Sequence, residues 1–229
     1  MIEQIKIGCA STKTTYGHRL DTTLVELNSD AKISGLFTSN KFKSAPVQIC
    51  LDQLEAKMKG KKMLAINAGN ANAATGKKGV SDAKKLIQEI SNLTNISTTQ
   101  ILPFSTGVVG QLLDVKQLSS AFNKCFKNLS KNSWDDFAKA IMTTDTKSKI
   151  IKLPFKAGSK KYHIVGIAKG VGMIEPNMAT TLSYVFTDLK IPELTLRKLH
   201  KRICDKTFNA ISIDCLLYTS DAADDLLCV

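Results

Sequence analysis

Short runs of apolar and β-branched residues, bounded by Gly, Asn or Ser, predict strands at several places along the chain. Four such runs lie at positions 32–40, 46–51, 62–68 and 180–188. Two more, at 150–155 and 162–168, flank the sequence KAGSKK and predict a hairpin with a Gly-containing loop. Pro154 lies inside the first of these two runs and favours an edge strand, because proline has no N–H to donate to a neighbouring strand.

Apolar residues at three- and four-residue spacing predict four helices. The first is capped by Ser81 or Asp82, the third is capped by Ser133, and the fourth follows Pro192. Their apolar faces are, in chain order, Leu86, Ile87, Ile90 and Leu93; Leu118, Phe122, Cys125, Phe126 and Leu129; Trp134, Phe137, Ala138 and Ile141; and Leu196, Leu199 and Ile203. Because strands and helices mix without strict alternation, we expect helices layered on sheets.

Composition is that of an ordinary globular chain, with 43% hydrophobic and 23% charged residues among 229. That length is enough for a sizeable core and one or two domains. No apolar run approaches the ~20 residues that a membrane span needs, and the N-terminus lacks the pattern of a signal peptide. We therefore expect a cytoplasmic protein with no membrane partner.

Cysteine and histidine spacing gives little support to a metal site. The six cysteines include no C-x-x-C pair, and the three histidines are far apart in sequence and form no H-x-x-x-H. Spacing disfavours a Ser-His-Asp triad as well, although it leaves open a clustering of the histidines in space. We expect no metal and reduced cysteines in the core or in strands.

The formal net charge of +12 raises nucleic acid as a partner. However, the lysines are dispersed, and aromatic residues make up only 6% of the chain and do not interleave with the basic clusters. A lysine-rich solvated surface explains the charge better. We expect no nucleic-acid partner, and a basic binding module is kept as an alternative.

The stretch GMIEPNMATTLSY, at 172–184, contains the first candidate for chemistry. A threonine hydroxyl is a poor nucleophile without a base, and one solution is for the threonine to become a chain N-terminus. Cleavage between Ala179 and Thr180 would expose an α-amine with a pKa near ~8 that can act as that base. Taken alone, β-propensity explains the threonine pair better.

Three further stretches carry polar groups that suit a site. In LPFSTGVVG, Thr106 and Gly107 could offer a hydroxyl and N–H groups to an oxyanion, or form a plain glycine turn. In IMTTDT, clustered hydroxyls could hold a polar substrate, or simply end a helix. The Asn- and Gly-rich AINAGNANAATGKKG suits turns with positive φ, but it is not a phosphate loop.

Together and in this order, these stretches resemble the ornithine acetyltransferase (glutamate N-acetyltransferase, ArgJ) family of arginine biosynthesis. The matching segments are GLFTSN with APV, NAGNANAATG, PFSTGVVG, AIMTTDT, AKGVGMIEPNMAT and, more loosely, FNAISID. They extend from near the start of the chain to about Asp214. The AKG-G-MI-PNMAT pattern is highly specific, and six ordered matches make coincidence improbable.

The resemblance implies an α+β layered sandwich (αββα), the fold of related self-cleaving aminopeptidases that expose an N-terminal nucleophile. Cleavage between Ala179 and Thr180 would give an α chain of residues 1–179 and a β chain that begins with residues 180–214. Thr180 would take an acetyl group from N-acetyl-L-ornithine and pass it to L-glutamate. The family also implies an α2β2 assembly.

The same resemblance implies roles for particular residues. Thr106 and Gly107 would form the oxyanion hole, and Thr143, Lys169 and Thr180 would contact substrate. Lys169 would be the cation near the carboxylate of the amino acid, whereas taken alone it is a surface lysine. No cofactor or metal is expected, but some family members also use acetyl-CoA as a co-substrate.

The C-terminus departs from the family pattern. After SID the family continues into a Gly-Asp/Ser-Thr-Asn-Asp region, whereas this chain reads CLLYTSDAADDLLCV from Cys215 onward, with only acidic charges. Residues 215–229 resemble translated adapter sequence and are expected to be a non-native tail; a short acidic helix is the alternative. We therefore expect a C-terminally truncated chain, with an inactive fragment and a hydrolase of the same fold as alternative functions.

Overall fold

The computed structural model describes residues 2–130, 132–172, 174 and 181–213, and the backbone of 224–228. The strands are β1 (Ile5–Ala10), β2 (Thr22–Leu27), β3 (Ile33–Phe37), β4 (Lys62–Asn70), β5 (Ile101–Val108), β6 (Lys149–Ala157), β7 (Lys160–Lys169), β8 (Leu182–Thr187) and β9 (Asp224–Cys228). The helices are α1 (Ala45–Glu55), α2 (Gly76–Thr94), α3 (Val115–Lys127), α4 (Trp134–Ala140) and α5 (Glu193–Lys206).

The strands form two sheets. The first has the order β1-β2-β4-β5, in which β4 and β5 are parallel and the other neighbours are antiparallel. The second has the order β3-β9-β8-β7-β6, in which β8 and β9 are parallel and the other neighbours are antiparallel. The β6–β7 hairpin confirms the one predicted around KAGSKK, and Pro154 lies on the edge strand β6, as its missing N–H requires.

The two sheets pack face to face and bury the larger core between them. Alternate residues of each strand point inward, including Ile66 and Phe104 of the first sheet and Ile167 and Tyr184 of the second. The rings of Phe104 and Tyr184 meet edge to face, with 5.4 Å between their centroids. Helix α4 closes one side of this core, where Phe137 packs 5.1 Å from Tyr184.

Helices cover the outer faces of both sheets. The outer face of the first sheet packs against α2 and α3 through a second core that includes Leu24, Met63, Ile87 and Phe122. Helix α5 packs on β3 of the second sheet, and His200 on this helix bonds the hydroxyl of Ser34 through Nδ1 at 2.9 Å. The layers are therefore helix, sheet, sheet and helix, which confirms the αββα sandwich expected from the sequence.

Several predictions of local structure were wrong. The run 46–51 lies in helix α1, not in a strand: the Ser44 side chain accepts a hydrogen bond from the N–H of Val47, and Pro46 lies in the first turn, where its missing N–H costs nothing. Helix α2 begins at Gly76, so Asp82 is not its cap; its buried carboxylate forms an ion pair with the exposed Lys78. Ile203 is 53% exposed, because α5 instead buries Leu196, His200 and Cys204.

The described cysteines Cys9, Cys50, Cys125 and Cys204 are free thiols, and all four are buried. Near the C-terminus, residues 224–228 form strand β9 between β3 and β8, not the short helix considered as an alternative.

In the part of the chain that the structure describes, no helix has the length and apolar character that crossing a membrane requires.

The contact between the sheets gives a stability prediction. Replacing Phe104 by Ala should lower the free energy of unfolding by about 3–5 kcal/mol, because the ring fills the space between the two sheets and leaves a cavity there. Replacing Phe42, which is 65% exposed, by Ala is the matched control and should change it by less than about 0.5 kcal/mol. Urea unfolding of both variants checks this, and equal effects would contradict the packing described.

Candidate active site

The parallel strands β4 and β5 end at the same edge of the first sheet, and both carry polar residues there. Ser105 donates a hydrogen bond to the side-chain carbonyl of Asn67 at 2.6 Å, in the strand pair where these residues are in register. Thr106 and Gly107 follow at the end of β5, and Thr106 is only 4% exposed. The segment is therefore the end of a buried strand and not a glycine turn before a helix.

Gly107 allows an unusually close approach of the two backbones. Its φ is +131°, and a Cβ added at this position would lie 2.3 Å from the carbonyl carbon of Gly69 on the neighbouring strand. Gly69 itself has a φ of +106°, and the register between the strands shifts at Asn70. Glycine is required here both for its backbone conformation and for the absence of a side chain.

Lys169 reaches this edge from the opposite sheet. It ends β7, is 5% exposed, and donates from Nζ to Oγ1 of Thr106 at 3.1 Å. A protonated lysine has donors only, so the Thr106 oxygen is the acceptor and its own hydrogen remains available to a third group. The structure thus joins two of the predicted site residues directly and shows that Lys169 is not a surface lysine.

The surroundings of Lys169 change the pKa of its side chain. Loss of solvent lowers the pKa of its ammonium, the nearby Asp145 carboxylate opposes that shift, and the Lys149 ammonium adds to it, so the pKa is lowered. The side chain nevertheless keeps three donor positions in its charged form. It can hold Thr106 and still donate to an incoming carboxylate or oxyanion.

Thr143 lies in the loop after α4, where neighbouring groups hold its backbone from two directions. Its N–H donates to Oδ2 of Asp145 at 3.3 Å. Its carbonyl accepts from the guanidinium of Arg19 at 3.3 Å, and the carbonyl of Met142 accepts from the same group at 2.8 Å. Asp145 also accepts from the N–H of Gly170 at 3.0 Å, so it links the Thr143 loop to the residue after Lys169.

Ala179 and Thr180, the predicted cleavage site and nucleophile, lie outside the described residues, and their roles stay predictions. So does the division of the chain at 179 and 180. The described chain resumes at Thr181, which is 8% exposed. The next residue, Leu182, pairs with Lys169 in the β7–β8 ladder.

Sequence reasoning missed two residues of this region. Asp145 was present in the quoted IMTTDT, but only the structure shows that its carboxylate is buried and accepts two backbone N–H groups. Arg19 lies more than a hundred positions before the carbonyls that it binds, and no local pattern signals such a contact. An acidic residue inside a hydroxyl-rich loop was the one available signal.

The described residues offer little for a metal ion. Among the described residues, no three His, Cys, Asp or Glu side chains are grouped so as to hold a metal ion. A cavity of about 390 Å³ lies near Ile2, Leu27 and Pro192, and none of the described site residues Thr106, Gly107, Thr143 and Lys169 lines it. The polar groups that converge on Lys169 and Thr106 are the chemistry that stabilises an oxyanion or binds a carboxylate.

The sequence matches a known protein family. The model of the ArgJ family matches residues 4–225. The chain belongs to the ArgJ family. An arginine biosynthesis bifunctional protein ArgJ from Colwellia psychrerythraea is 39% identical over 96% of this chain and 54% of its own length. The protein of the same name from Methylococcus capsulatus is 36% identical over 96% of this chain and 53% of its own length.

Solved ArgJ structures share the fold. The crystal structure of ArgJ from Bacillus halodurans has a TM-score of 0.64 and 27% identity, and covers 77% of this chain and 92% of its own. Ornithine acetyltransferase from Mycobacterium tuberculosis, complexed with ornithine, has a TM-score of 0.63 and 25% identity, and covers 76% of this chain and 91% of its own. The chain spans about half the length of the curated ArgJ relatives it matches, and the family match extends past Asp214 to residue 225.

The close approach at Gly107 gives a second prediction. Gly107→Ala should lower the free energy of unfolding by about 1–3 kcal/mol more than Gly110→Ala, because the added methyl group collides with the backbone of β4. Gly110 is a matched control: its φ is +80°, but nothing lies within 4 Å of an added Cβ. Urea unfolding measures the difference, and equal losses would mean that backbone strain alone explains the glycine.

Proposed function

We propose that the site transfers an acetyl group from N-acetyl-L-ornithine to L-glutamate, through an acetyl ester on Thr180 formed after cleavage between Ala179 and Thr180. The observation that carries this proposal is the buried contact between Lys169 and Thr106, in a chain of the ArgJ family. The name of the curated relatives and the ornithine in the Mycobacterium tuberculosis structure support the substrate class.

The first half of the reaction forms the ester. The α-amine of Thr180 takes the proton of its own hydroxyl, and the oxygen attacks the acetyl carbonyl of N-acetyl-L-ornithine. The Thr106 hydroxyl and the Gly107 N–H stabilise the oxyanion that develops. The carbon–nitrogen bond then breaks, and the nitrogen leaves as the amine of ornithine after taking up the proton.

The second half repeats these steps with L-glutamate as the nucleophile. The glutamate amine attacks the ester carbonyl, the threonine oxygen leaves and regains a proton, and N-acetylglutamate is released. Lys169 binds the α-carboxylate of the amino acid while it holds Thr106, and Thr143 contacts the same substrate. Both half-reactions use the same donors, as a ping-pong transfer requires.

A second acetyl donor is part of the proposal. The curated relatives are named bifunctional, which favours acetyl-CoA as a further donor to the same threonine. We expect the two products of cleavage to assemble as α2β2 in the cytoplasm, with no metal or resident cofactor. A hydrolase of the same fold would use water in place of glutamate and is distinguished by its product.

Mass spectrometry of the purified chain tests the cleavage. We expect a fragment that begins at Thr180, and we expect Thr180→Ala to leave the chain uncut because it removes the attacking hydroxyl. Thr181→Val, which alters the adjacent buried threonine, is the control and should still cut. Cleavage that persists in Thr180→Ala, or that occurs at another bond, would contradict the proposal.

The acceptor is tested separately, with a protein of the full length of the ArgJ relatives. Its substrate is N-acetyl-L-ornithine labelled in the acetyl group. Label should appear in N-acetylglutamate when L-glutamate is present. Label that appears only as free acetate, with or without glutamate, would identify the hydrolase instead.

A further inference from the structure

Asp145 forms a buried junction between the parts of the candidate site. Its side chain is 1% exposed, and its Oδ1 accepts from the N–H of Gly170 at 3.0 Å and from Nζ of Lys149 at 2.6 Å. Its Oδ2 accepts from the N–H of Thr143 at 3.3 Å. One carboxylate therefore satisfies two backbone donors, from separate segments of the chain, and one ammonium group.

The two backbone donors belong to the segments that carry Thr143 and Lys169. Gly170 follows Lys169 directly and has a φ of +143°, a conformation that favours glycine. On the other side of the loop, Arg19 holds the carbonyls of Met142 and Thr143. The Thr143 backbone is thus fixed at its N–H by Asp145 and at its carbonyl by Arg19.

Asp145 is also a negative charge that acts on the buried ammonium of Lys169. Burial raises the pKa of the Asp145 carboxyl, but hydrogen bonds from Lys149, Gly170 and Thr143 outweigh burial and lower it below its usual value. The carboxylate is therefore ionised at neutral pH. Among the described residues, the titratable groups that interact with this pair are Lys149 on β6 and the phenol of Tyr16, in the loop before β2. The guanidinium of Arg19, from the same loop, binds the Thr143 carbonyl.

We propose that Asp145 is a positioning residue, which holds the Thr143 loop and the Lys169–Gly170 segment in register and keeps a negative charge beside Lys169. It acts on substrate only through these two residues. Its catalytic consequence rests on the proposed function, but its effects on the backbone and on Lys169 do not. The alternative is an ion pair with Lys149 that has no influence on the site.

The two explanations differ in the effect of two substitutions on Lys169. Asp145→Asn removes a negative charge and should shift the titration of Lys169 to lower pH. Lys149→Gln removes a positive charge and should shift it to higher pH. Loss of packing alone does not predict that replacing the two partners of one ion pair shifts the Lys169 titration in opposite directions.

Nuclear magnetic resonance of the full chain with ¹³Cε-labelled lysine measures both shifts, and Lys169→Met assigns the signal. The matched controls are Asp135→Asn and Lys152→Gln, which break an exposed ion pair of 2.7 Å and should leave the Lys169 titration unchanged. The Lys149 side chain is 47% exposed, so Lys149→Gln still gives a result if Asp145→Asn does not fold.

Amide exchange provides the second readout. Asp145→Asn should speed exchange of the Gly170 amide or of the Thr143 amide, since the two N–H groups bond different carboxylate oxygens and an uncharged amide keeps only one acceptor oxygen. Lys149→Gln should leave both amides protected. Opposite titration shifts with selective loss of protection would support the proposal. Unchanged Lys169 titration in both variants, or shifts of the same sign, would overturn it, whether or not the chain cleaves at Thr180.

Discussion

The packing of the two sheets against each other determines where the residues of the candidate site meet. Phe104 and Thr106 lie two positions apart on β5, so both point toward the second sheet. Ile167 and Lys169 have the same relation on β7 and point toward the first. The hydrogen bond between Lys169 and Thr106 therefore lies next to the apolar contact between the sheets, two residues further along each strand.

This arrangement buries charge at a free-energy cost. A lysine ammonium is stable away from water only where hydrogen bonds and opposite charge compensate for lost hydration. Thr106 supplies an acceptor and Asp145 supplies the opposite charge, while Lys149 and the backbone of Gly170 and Thr143 hold Asp145 in place. The apolar core keeps these groups together, because they lie on strands and loops that the core itself orders.

Local patterns in the sequence predicted part of this fold. The helices α2 to α5, the β6–β7 hairpin and the strand β8 follow from local spacing, because each depends on neighbours within a few residues. Helix α1 was taken for a strand, because the mostly apolar run 46–51 fits a short buried strand and the capping role of Ser44 was not recognised. The strands β1, β2 and β5 went unpredicted, since their character depends on partners distant in sequence.

The candidate site was predicted by resemblance more than by residue chemistry. Thr106 and Lys169 are 63 positions apart, and no spacing rule joins them; only the packed sheets do. The sequence could not show that Asp145 links two segments of the site. A carboxylate that accepts from two backbone N–H groups has no sequence pattern that separates it from other loop aspartates. What the resemblance supplied was the set of residues, and what the structure adds is the contacts between them.

The central claim is that a threonine ester carries the acetyl group, and peptide mapping after an acid quench tests it most directly. The family-length protein is mixed with N-acetyl-L-ornithine, stopped in acid and digested. The account predicts one added acetyl group on the hydroxyl of Thr180, which disappears when L-glutamate is supplied before the quench. An acetyl group on another residue, or transfer to glutamate with Thr180 never modified, would contradict it.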